Sequence, residues 1–365
     1  MKKIGIITLI GFDNYGNRLQ NYAVEKLVES FEYQSETLNI IIDRKKPTYM
    51  DLIIGAFKHP VKALKSSFKL FKHKKIKSNK YYKSKVNRFK EFASKHHSIK
   101  TIKYNQIQVA DYEYFFVGSD QVWNPLFGLD SKIGYLTFAE KKQKVSLSAS
   151  FGVGDSSLIT DINVGDYLKD FKKISVREET ASKMVKKLSG RDSTLLVDPT
   201  MALDNNTWIE LATPHIKKPN QKYILTYFLG DLSKEIKKII NEISKENNMV
   251  IVGLGDIHQP KYYDVDPAEF VDYFKDASLI FTDSFHGGVF SILFENPFVI
   301  FNRGNMNSRI KTLLSNFNLE ERHWNYIKTT KNFFNIDYSK IREIKKYQKE
   351  KVFNFIEEAL LKEKE

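Results

Sequence analysis

The stretch that decides the fold is residues 277–294, ASLIFTDSFHGGVFSILF. A short apolar strand, LIF, leads into the polar turn TDS and then into an apolar helix that carries His286, Gly287 and Gly288 near its start. A strand that feeds a glycine-containing turn into a helix is the α/β arrangement in which ligands bind at the carboxyl edge of the sheet. We therefore expect His286 to face a ligand that carries negative charge, beside the backbone N–H groups of the helix start. The alternative is a core histidine that bonds a neighbouring backbone group.

Outside this stretch, apolar strands and polar turns alternate along the chain. The first half predicts strands over residues 3–10, 38–42, 114–117, 145–149, 173–176 and 195–197, and a helix over 19–31. The second half predicts strands in YILTYFL, MVIVGLG, SLIFTD and PFVIFNRG, with amphipathic helices over 234–247 and 268–274. Strands this apolar are buried on both faces, which is typical of mostly parallel sheets covered by helices. The predicted fold class is α/β, with two Rossmann-like domains that face a cleft.

The predicted domain boundaries follow from this alternation. An N-terminal Rossmann-like domain covers residues 1–200 and contains a basic helical insertion at about residues 58–100. A C-terminal Rossmann-like domain covers residues 201–335. Apolar residues at helical spacing within residues 336–365 predict a C-terminal helix that packs across the back of the domains.

Composition narrows the possible chemistry. The 365-residue chain has no cysteine, which excludes thiolate catalysis and thiolate metal sites. No pair of histidines has a metal-binding spacing accompanied by a third ligand, so we expect no metal site. The apolar start, residues 4–10, is too short for a signal peptide, and no run reaches the roughly 18 apolar residues of a membrane span. We expect a cytoplasmic protein that is soluble or peripheral.

The net charge of +14 belongs to one segment. Residues 58–100 are rich in lysine and contain a single acid, Glu91, whereas acidic and basic residues balance in the rest of the chain. Val61, Leu64 and Phe68 lie at helical spacing there and predict an amphipathic helix. Such a helix covers the core, contacts an anionic membrane at its inner face, or presents a solvated lysine face. Nucleic acid is not an expected partner, because no recognition module accompanies the charge.

Two polar loops that follow predicted strands are candidates for binding a sugar. GFDNYGN lacks the glycine and lysine pattern of nucleotide-binding loops, and GSDQVW adds an aromatic ring to its polar groups. Asn and Asp side chains pair with sugar hydroxyls, although the same residues also cap turns. The acceptor-binding candidates are Asp13, Asn14, Asn17, Arg18, Ser119, Asp120, Gln121 and Trp123. We interpret Asp198, in LLVDPT, as the cap of a structural turn and place it outside the site.

Taken in order, these motifs resemble those of the polysaccharide pyruvyl transferase family. The matching segments are GIITLIGFDNYGNRLQNYA, FFVGSDQVWNP, ISVREETA, LLVDPT, TDSFHGGVFS and NPFVIFNRG, which together span Ile4 to about Asn305. The resemblance implies a fold like that of the two-domain glycosyltransferases called GT-B. It also implies transfer of a pyruvyl group from phosphoenolpyruvate, as co-substrate, to sugar hydroxyls as a ketal in cell-surface polysaccharide biosynthesis. No cofactor is expected, and the acceptor would be a glycan or a lipid-linked sugar.

The resemblance also implies roles for particular residues. A histidine acid/base falls at His286, and an imidazole suits the proton transfers of ketal formation because its pKa lies near neutrality. A donor-binding arginine falls at Arg177, whose guanidinium fork suits a phosphate or carboxylate. The alternative for Arg177 is a surface arginine paired with Glu178 and Glu179.

One departure from the family pattern concerns the donor phosphate. The better-studied branch has Arg-Leu-His where this chain has Ser284, Phe285 and His286. A donor-phosphate contact is therefore either missing or supplied from elsewhere, and Arg303, which follows the strand in PFVIFNRG, is a candidate replacement. The donor-binding candidates are Arg177, Arg303, Ser284, Gly287 and Gly288.

Two other functions are compatible with these motifs. A GT-B glycosyltransferase that uses a nucleotide sugar would have the same cleft, and the departure from Arg-Leu-His leaves this alternative open. A non-catalytic, membrane-associated assembly protein would use the basic segment and retain a vestigial site.

Overall fold

The computed structural model describes residues 2–43, 78–302 and 308–361. Within them, neighbouring strands pair in parallel and form two sheets. The first sheet contains β1 (Lys3–Ile7), β2 (Gln34–Ile41), β3 (Ile99–Lys103), β4 (Tyr114–Val117), β5 (Lys144–Ala149), β6 (Lys173–Val176) and β7 (Thr194–Leu195), in the spatial order β3-β2-β1-β4-β5-β6-β7. The second contains β8 (Tyr223–Tyr227), β9 (Val250–Leu254), β10 (Leu279–Thr282) and β11 (Phe298–Ile300), in the order β11-β10-β8-β9.

Helices connect the strands and cover the sheets. The first half of the chain forms α1 (Tyr15–Glu29), α2 (Lys80–His96), α3 (Ser131–Gly134), α4 (Val164–Lys169), α5 (Glu179–Ser189) and α6 (Asn205–Leu211). The second half forms α7 (Lys234–Glu246), α8 (Pro267–Lys275), α9 (Phe285–Leu293), α10 (Ser308–Asn316), α11 (Trp324–Thr330) and α12 (Ser339–Leu360). The alternation of apolar strands and helices thus builds the predicted parallel α/β architecture, and that prediction is confirmed.

The apolar side chains pack in layers on both faces of each sheet. Ile6 and Phe116 of the first sheet point into an apolar cluster that continues to Leu225 of the second sheet. Because side chains alternate across a strand, Phe115 points to the opposite face of the first sheet and joins a separate cluster there. Phe281 lies in a further cluster on the far face of the second sheet. The two sheets therefore share the apolar layer that lies between them.

The C-terminal helix α12 connects the two sheets, as predicted. Its buried Val352 and Ile356 join the layer between the sheets. Near one end, Lys345 Nζ donates a 3.1 Å hydrogen bond to the carbonyl of Leu293 in the second half of the chain. At the other end, the Tyr114 hydroxyl of β4 donates a 3.0 Å bond to the carbonyl of Leu360. The helix therefore packs across both halves.

Helix α2 makes a second connection between the halves. It lies between β2 and β3 in the chain. The residues to which its side chains bond, however, either precede α8 or belong to it. Ser84 Oγ donates a 2.8 Å hydrogen bond to Asp264, and Arg88 Nη2 lies 3.2 Å from an oxygen of Asp266 and 2.5 Å from one of Glu269. These bonds tie the insertion of the first sheet to the second sheet.

Two elements differ from the sequence predictions for identifiable reasons. Helix α1 begins at Tyr15 and not at Leu19, because Asn14 caps it and its polar first turn hides the apolar spacing. Strand β3 is not predicted by an apolar run, because this edge strand alternates half-buried isoleucines with exposed lysine and threonine.

The amphipathic helix predicted around residues 61–71 lies outside the described residues. In the part of the chain that the structure describes, no helix combines the length and the apolar character that crossing a bilayer requires.

Candidate functional site

A small cavity lies where the carboxyl ends of the two sheets face each other. Its volume is about 50 Å³, close to the share of space that one or two water molecules take in the liquid. The walls are formed by the first turn of α1, by the loop after β4 and by residues that follow β8 and β10. The lining residues are Asn14, Asp120, Gln121, Leu229, Asp283, Ser284, Phe285, His286, Arg309 and Ile310.

His286 is the second residue of helix α9 and faces this cavity. Its side chain is 8% exposed, and Nε2 lies 3.7 Å from Oδ2 of Asp198. Within the described residues, Nε2 has no hydrogen-bond partner. A methyl group on Gly16 would lie only 2.1 Å from His286 Nδ1. The imidazole is therefore wedged between the start of α1 and a carboxylate, with Nε2 buried beside Asp198.

Asp198 belongs to the site, although the sequence interpretation placed it outside as a turn cap. It does cap the turn after β7, because Oδ1 accepts hydrogen bonds from the N–H (3.1 Å) and the hydroxyl (2.8 Å) of Thr200. Its other oxygen, Oδ2, accepts from Ser119 Oγ at 2.9 Å and faces His286. Burial opposes ionisation of Asp198, but His286, Arg177 and Thr200 outweigh it and hold the pKa of Asp198 well below its ordinary value. The carboxylate is thus ionised beside the imidazole.

Arg177 occupies a different place from either sequence interpretation. Its side chain is fully buried, which excludes a surface ion pair. Nη1 donates a 2.6 Å hydrogen bond to Asp198 and Nη2 a 2.8 Å bond to Asp120, while Glu178 lies 3.8 Å from Nε. Desolvation would lower the pKa of Arg177, but the adjacent carboxylates raise it. Because its fork is engaged with these carboxylates, Arg177 orients them and does not line the cavity, which corrects the donor-binding expectation.

Arg309 is a site residue that the sequence analysis missed. It lies in the first turn of α10, lines the cavity with His286 and has a side chain only 9% exposed. Nη1 lies 3.9 Å from Oδ1 of Asp120 and 3.2 Å from the side-chain amide of Gln121. The segment NSRIKTLL gives no signal of this role, because an arginine in the first turn of an amphipathic helix is ordinary. Arg309 is the arginine that the described structure places on the cavity wall.

Gly287 and Gly288 allow close packing of α9, and their donor-binding role stays a prediction. A methyl group on Gly287 would lie 2.2 Å from Thr282 Oγ1, and one on Gly288 would lie 2.8 Å from Ile300 Cδ1. Both glycines therefore allow α9 to approach the second sheet closely. Ser284, the N-cap of α9, lines the cavity and accepts a 3.3 Å hydrogen bond from the N–H of Gly287, which uses one acceptor site of its hydroxyl.

The acceptor-binding candidates in and just after the loop GFDNYGN differ in whether they line the cavity. Asn14 lines the cavity, and Asn17 Nδ2 donates a short hydrogen bond to Asp120. Asp13 accepts a 3.0 Å hydrogen bond from the hydroxyl of Tyr82 on α2. Arg18 is fully buried and donates a 2.8 Å bond to the carbonyl of Leu9, and burial lowers its pKa to about 10. Arg18 thus stabilises the loop through its bond to Leu9 and does not line the cavity.

The second loop places Asp120 and Gln121 on the cavity wall. Asp120 has a left-handed backbone (φ 61°), which is uncommon outside glycine and is often found at functional sites. Burial opposes its ionisation, but Arg177, His286 and Arg309 hold the pKa of Asp120 below its ordinary value. Ser119 Oγ is bonded to Asp198.

Trp123 does not line the cavity of His286. It is buried, its indole N–H donates a 2.7 Å bond to the carbonyl of Gly134, and its ring stacks on Tyr135 at 5.4 Å between centroids. The indole packs into the core of the first sheet for this reason. The remaining candidate, Arg303, lies outside the described residues.

Comparisons with known proteins establish the family and the fold of the chain. A family model described as polysaccharide pyruvyl transferase matches residues 14–305. No curated relative matches the chain in sequence. Among solved structures, the fold is similar to that of a UDP-GlcNAc 2-epimerase from Neisseria meningitidis bound to UDP-GlcNAc, at 10% identity over 100% of both chains with a TM-score of 0.51. HepE from Anabaena in complex with UDP is 9% identical over 99% of both chains, with a TM-score of 0.46. The first likeness confirms the GT-B-like fold.

Proposed function

The chain belongs to the polysaccharide pyruvyl transferase family, and from that premise we propose that it transfers a pyruvyl group from phosphoenolpyruvate to two hydroxyls of a sugar. The product is a cyclic ketal on a glycan or lipid-linked sugar that serves cell-surface polysaccharide synthesis, made at the cytoplasmic side. The observation that carries the proposal is the pairing of His286 with the ionised, buried Asp198 at the wall of a cavity that Arg309 also lines.

The proposed reaction needs proton transfer at three points. A proton added to C3 of phosphoenolpyruvate makes C2 electrophilic, and the first sugar hydroxyl adds to C2 and loses its proton. Phosphate then leaves C2, and the second hydroxyl adds to the same carbon and loses its proton. One hydroxyl proton replaces the proton given to C3, and the other departs with the phosphate. An acid/base group that changes state near neutral pH can perform each transfer.

His286 has the position that this reaction requires. Its ring lines the cavity, and Nε2, which is buried beside Asp198, carries no hydrogen bond among the described residues. Asp198, 3.7 Å away and ionised, stabilises the imidazolium that forms when His286 takes a hydroxyl proton. Arg177 is a positioning residue in this scheme, because it fixes Asp198 and Asp120 from behind.

Arg309 supports the choice of an anionic donor. Phosphoenolpyruvate carries a phosphate and a carboxylate, and a guanidinium pairs with either group through two N–H donors. The start of α9 adds the partial positive charge of a helix N-terminus. In this proposal, Arg309 makes the contact with the donor that the arginine of Arg-Leu-His would make. Because the cavity holds only about 50 Å³, its walls have to separate before the donor enters.

A pair of ligand measurements tests the proposal. Thermal unfolding is followed with phosphoenolpyruvate and, separately, with UDP-N-acetylglucosamine, because a ligand raises the melting temperature only by binding the folded state. We expect phosphoenolpyruvate to stabilise the protein and Arg309→Gln to remove that effect. Release of inorganic phosphate that depends on an added sugar then establishes transfer. Stabilisation by the nucleotide sugar and not by phosphoenolpyruvate would make the chain a glycosyltransferase instead.

A further inference from the structure

A larger cavity lies beside the one that His286 lines. It holds about 280 Å³, near the lower end of the roughly 300–1,000 Å³ of small-molecule pockets. Its walls are the loop after β4 and the loop after β5, so it opens at the same carboxyl edge of the first sheet. The lining residues are Trp123, Asn124, Pro125, Leu126, Phe127, Gly128, Leu129, Asp130, Ser131, Tyr135, Ile159, Thr160, Asp161 and Val164.

The polar lining of this cavity favours a neutral ligand. Asn124, Ser131 and Thr160 offer amide and hydroxyl groups, and Asp130 and Asp161 offer carboxylates. None of the described residues that line it is a lysine or an arginine. A phosphate or carboxylate here would meet negative charge without a cation to balance it. Because the described lining of this cavity lacks a cation such as Arg309, phosphoenolpyruvate is excluded as its occupant.

The apolar residues that line this cavity narrow the class of ligand further. Leu126 and Phe127 line the cavity and are 68% and 49% exposed. Exposed apolar groups clustered around polar ones mark binding sites on soluble proteins. A pyranose ring matches this mixture, because one face carries C–H groups that pack on an aromatic ring while its hydroxyls bond to Asn, Asp, Ser and Thr.

The two cavities adjoin through a pair of amides. The side-chain amide of Asn124, which lines the larger cavity, lies 2.8 Å from that of Gln121, which lines the cavity of His286. We propose that the cavity around Phe127 binds a neutral sugar of the acceptor glycan, next to the sugar that receives the pyruvyl group. This inference rests on the proposed function for its choice of substrate. The enzyme would accordingly prefer an acceptor of two or more sugars over a single sugar.

Glycan binding without donor tests this subsite. The full chain is applied to an array of neutral mono-, di- and trisaccharides of glucose, galactose, mannose and their 2-acetamido forms, with sulfated and phosphorylated counterparts. We expect neutral di- or trisaccharides to bind better than single sugars. Phe127→Ala should weaken that binding about tenfold, which is ~1.4 kcal/mol, and Phe127→Trp should retain it. Tyr347→Ala, which removes an exposed aromatic ring from α12, is the matched control and should change nothing.

The outcomes separate this inference from the proposed function. Absence of binding to every neutral glycan, preference for the anionic glycans, or equal binding by Phe127→Ala overturns the subsite. If neutral glycans bind through Phe127 but no pyruvyl transfer is found with any of them, the subsite stands and the proposed function fails. If transfer occurs and Phe127→Ala raises KM equally for mono- and trisaccharide acceptors, the function stands and the subsite fails.

Discussion

The two halves of the chain contribute different groups to the site. The first sheet supplies the carboxylates of Asp120 and Asp198, which are bonded to Arg177 behind them. The second half of the chain supplies His286 from α9, Arg309 from α10 and a further carboxylate, Asp283, on the cavity wall. The acid/base pair therefore forms across the gap between the sheets. Catalysis depends on how the halves are held together as much as on the identity of either residue.

The two arginines show the same difference on a smaller scale. Arg177 lies in a motif that resembles the family's, yet its side chain is fully buried and committed to carboxylates. Arg309 lies in no motif, yet it lines the cavity. An arginine in a strand-end turn can organise the charges of a site without touching the substrate.

Removing the imidazole should have the largest effect on this arrangement. We expect His286→Ala to lower kcat by roughly 10²–10⁴-fold, because the acid/base group is lost. The melting temperature should change by only a few degrees, since no hydrogen bond to Nε2 is lost within the described residues. His258→Ala, at an exposed histidine, is the control in the turnover assay. Near wild-type turnover of His286→Ala would end the acid/base assignment.

Removing the charge of Asp198 should lower both the turnover and the stability of the protein. We expect Asp198→Asn to lower kcat about 100-fold, because the imidazolium loses its partner, and to lower the free energy of unfolding by roughly 3 kcal/mol, because a buried pair with Arg177 is broken. Chemical denaturation and steady-state kinetics measure the two effects. Asp192→Asn, at an exposed ion pair, should show neither effect. A loss of stability with unchanged kcat would leave Asp198 as a structural cap only.

Acid unfolding gives the Asp198 variant a second readout. Because the pKa of Asp198 is lowered in the folded state, the unfolded chain binds its proton first as pH falls below about 4. The stabilisation by this carboxylate is thus complete above that pH and is lost as pH falls towards the lowered pKa. The free energy of unfolding of wild type should fall more steeply below about pH 4 than that of Asp198→Asn. Parallel curves would show that this carboxyl has an ordinary pKa.

Displacing the imidazole without removing it should have an intermediate effect. A methyl group at Gly16 would lie 2.1 Å from Nδ1 of His286, so Gly16→Ala should push the ring away from Asp198. We expect kcat to fall about tenfold and stability to fall by roughly 1–3 kcal/mol from overpacking. Gly154→Ala is the matched control, because a methyl group there meets no atom within 4 Å. Unchanged kcat in Gly16→Ala would show that the histidine tolerates relocation.

Changing Arg309 should have the smallest effect on turnover and a selective effect on the donor. We expect Arg309→Lys to raise the KM for phosphoenolpyruvate about tenfold, because a point charge replaces a two-donor fork. The KM for the sugar should change little, and Arg342→Lys, on the exposed side of α12, serves as the control. An equal rise in both KM values would show that Arg309 supports the cavity structurally and does not bind the donor selectively.

The sequence predicts the fold more fully than the site, for physical reasons. Buried parallel strands are largely apolar, so β4 and β10 are evident from local sequence alone. His286 is identified in the same way, because its strand, turn and helix are contiguous. Asp198 and Arg309 become site residues only when distant segments meet, and a turn cap or a first-turn arginine looks ordinary before they do. Gly16 shows the limit most clearly, since its role depends on a ring that lies 270 positions further along the chain.

The tie made by helix α2 has a consequence for how salt acts on the enzyme. Arg88, Asp266 and Glu269 hold the halves together through ion pairs that are partly exposed, so dissolved ions weaken them. The same ions screen the attraction between Arg309 and an anionic donor. Rising ionic strength therefore weakens both the contact between the two halves and the attraction of the anionic donor, so turnover should fall as salt is added.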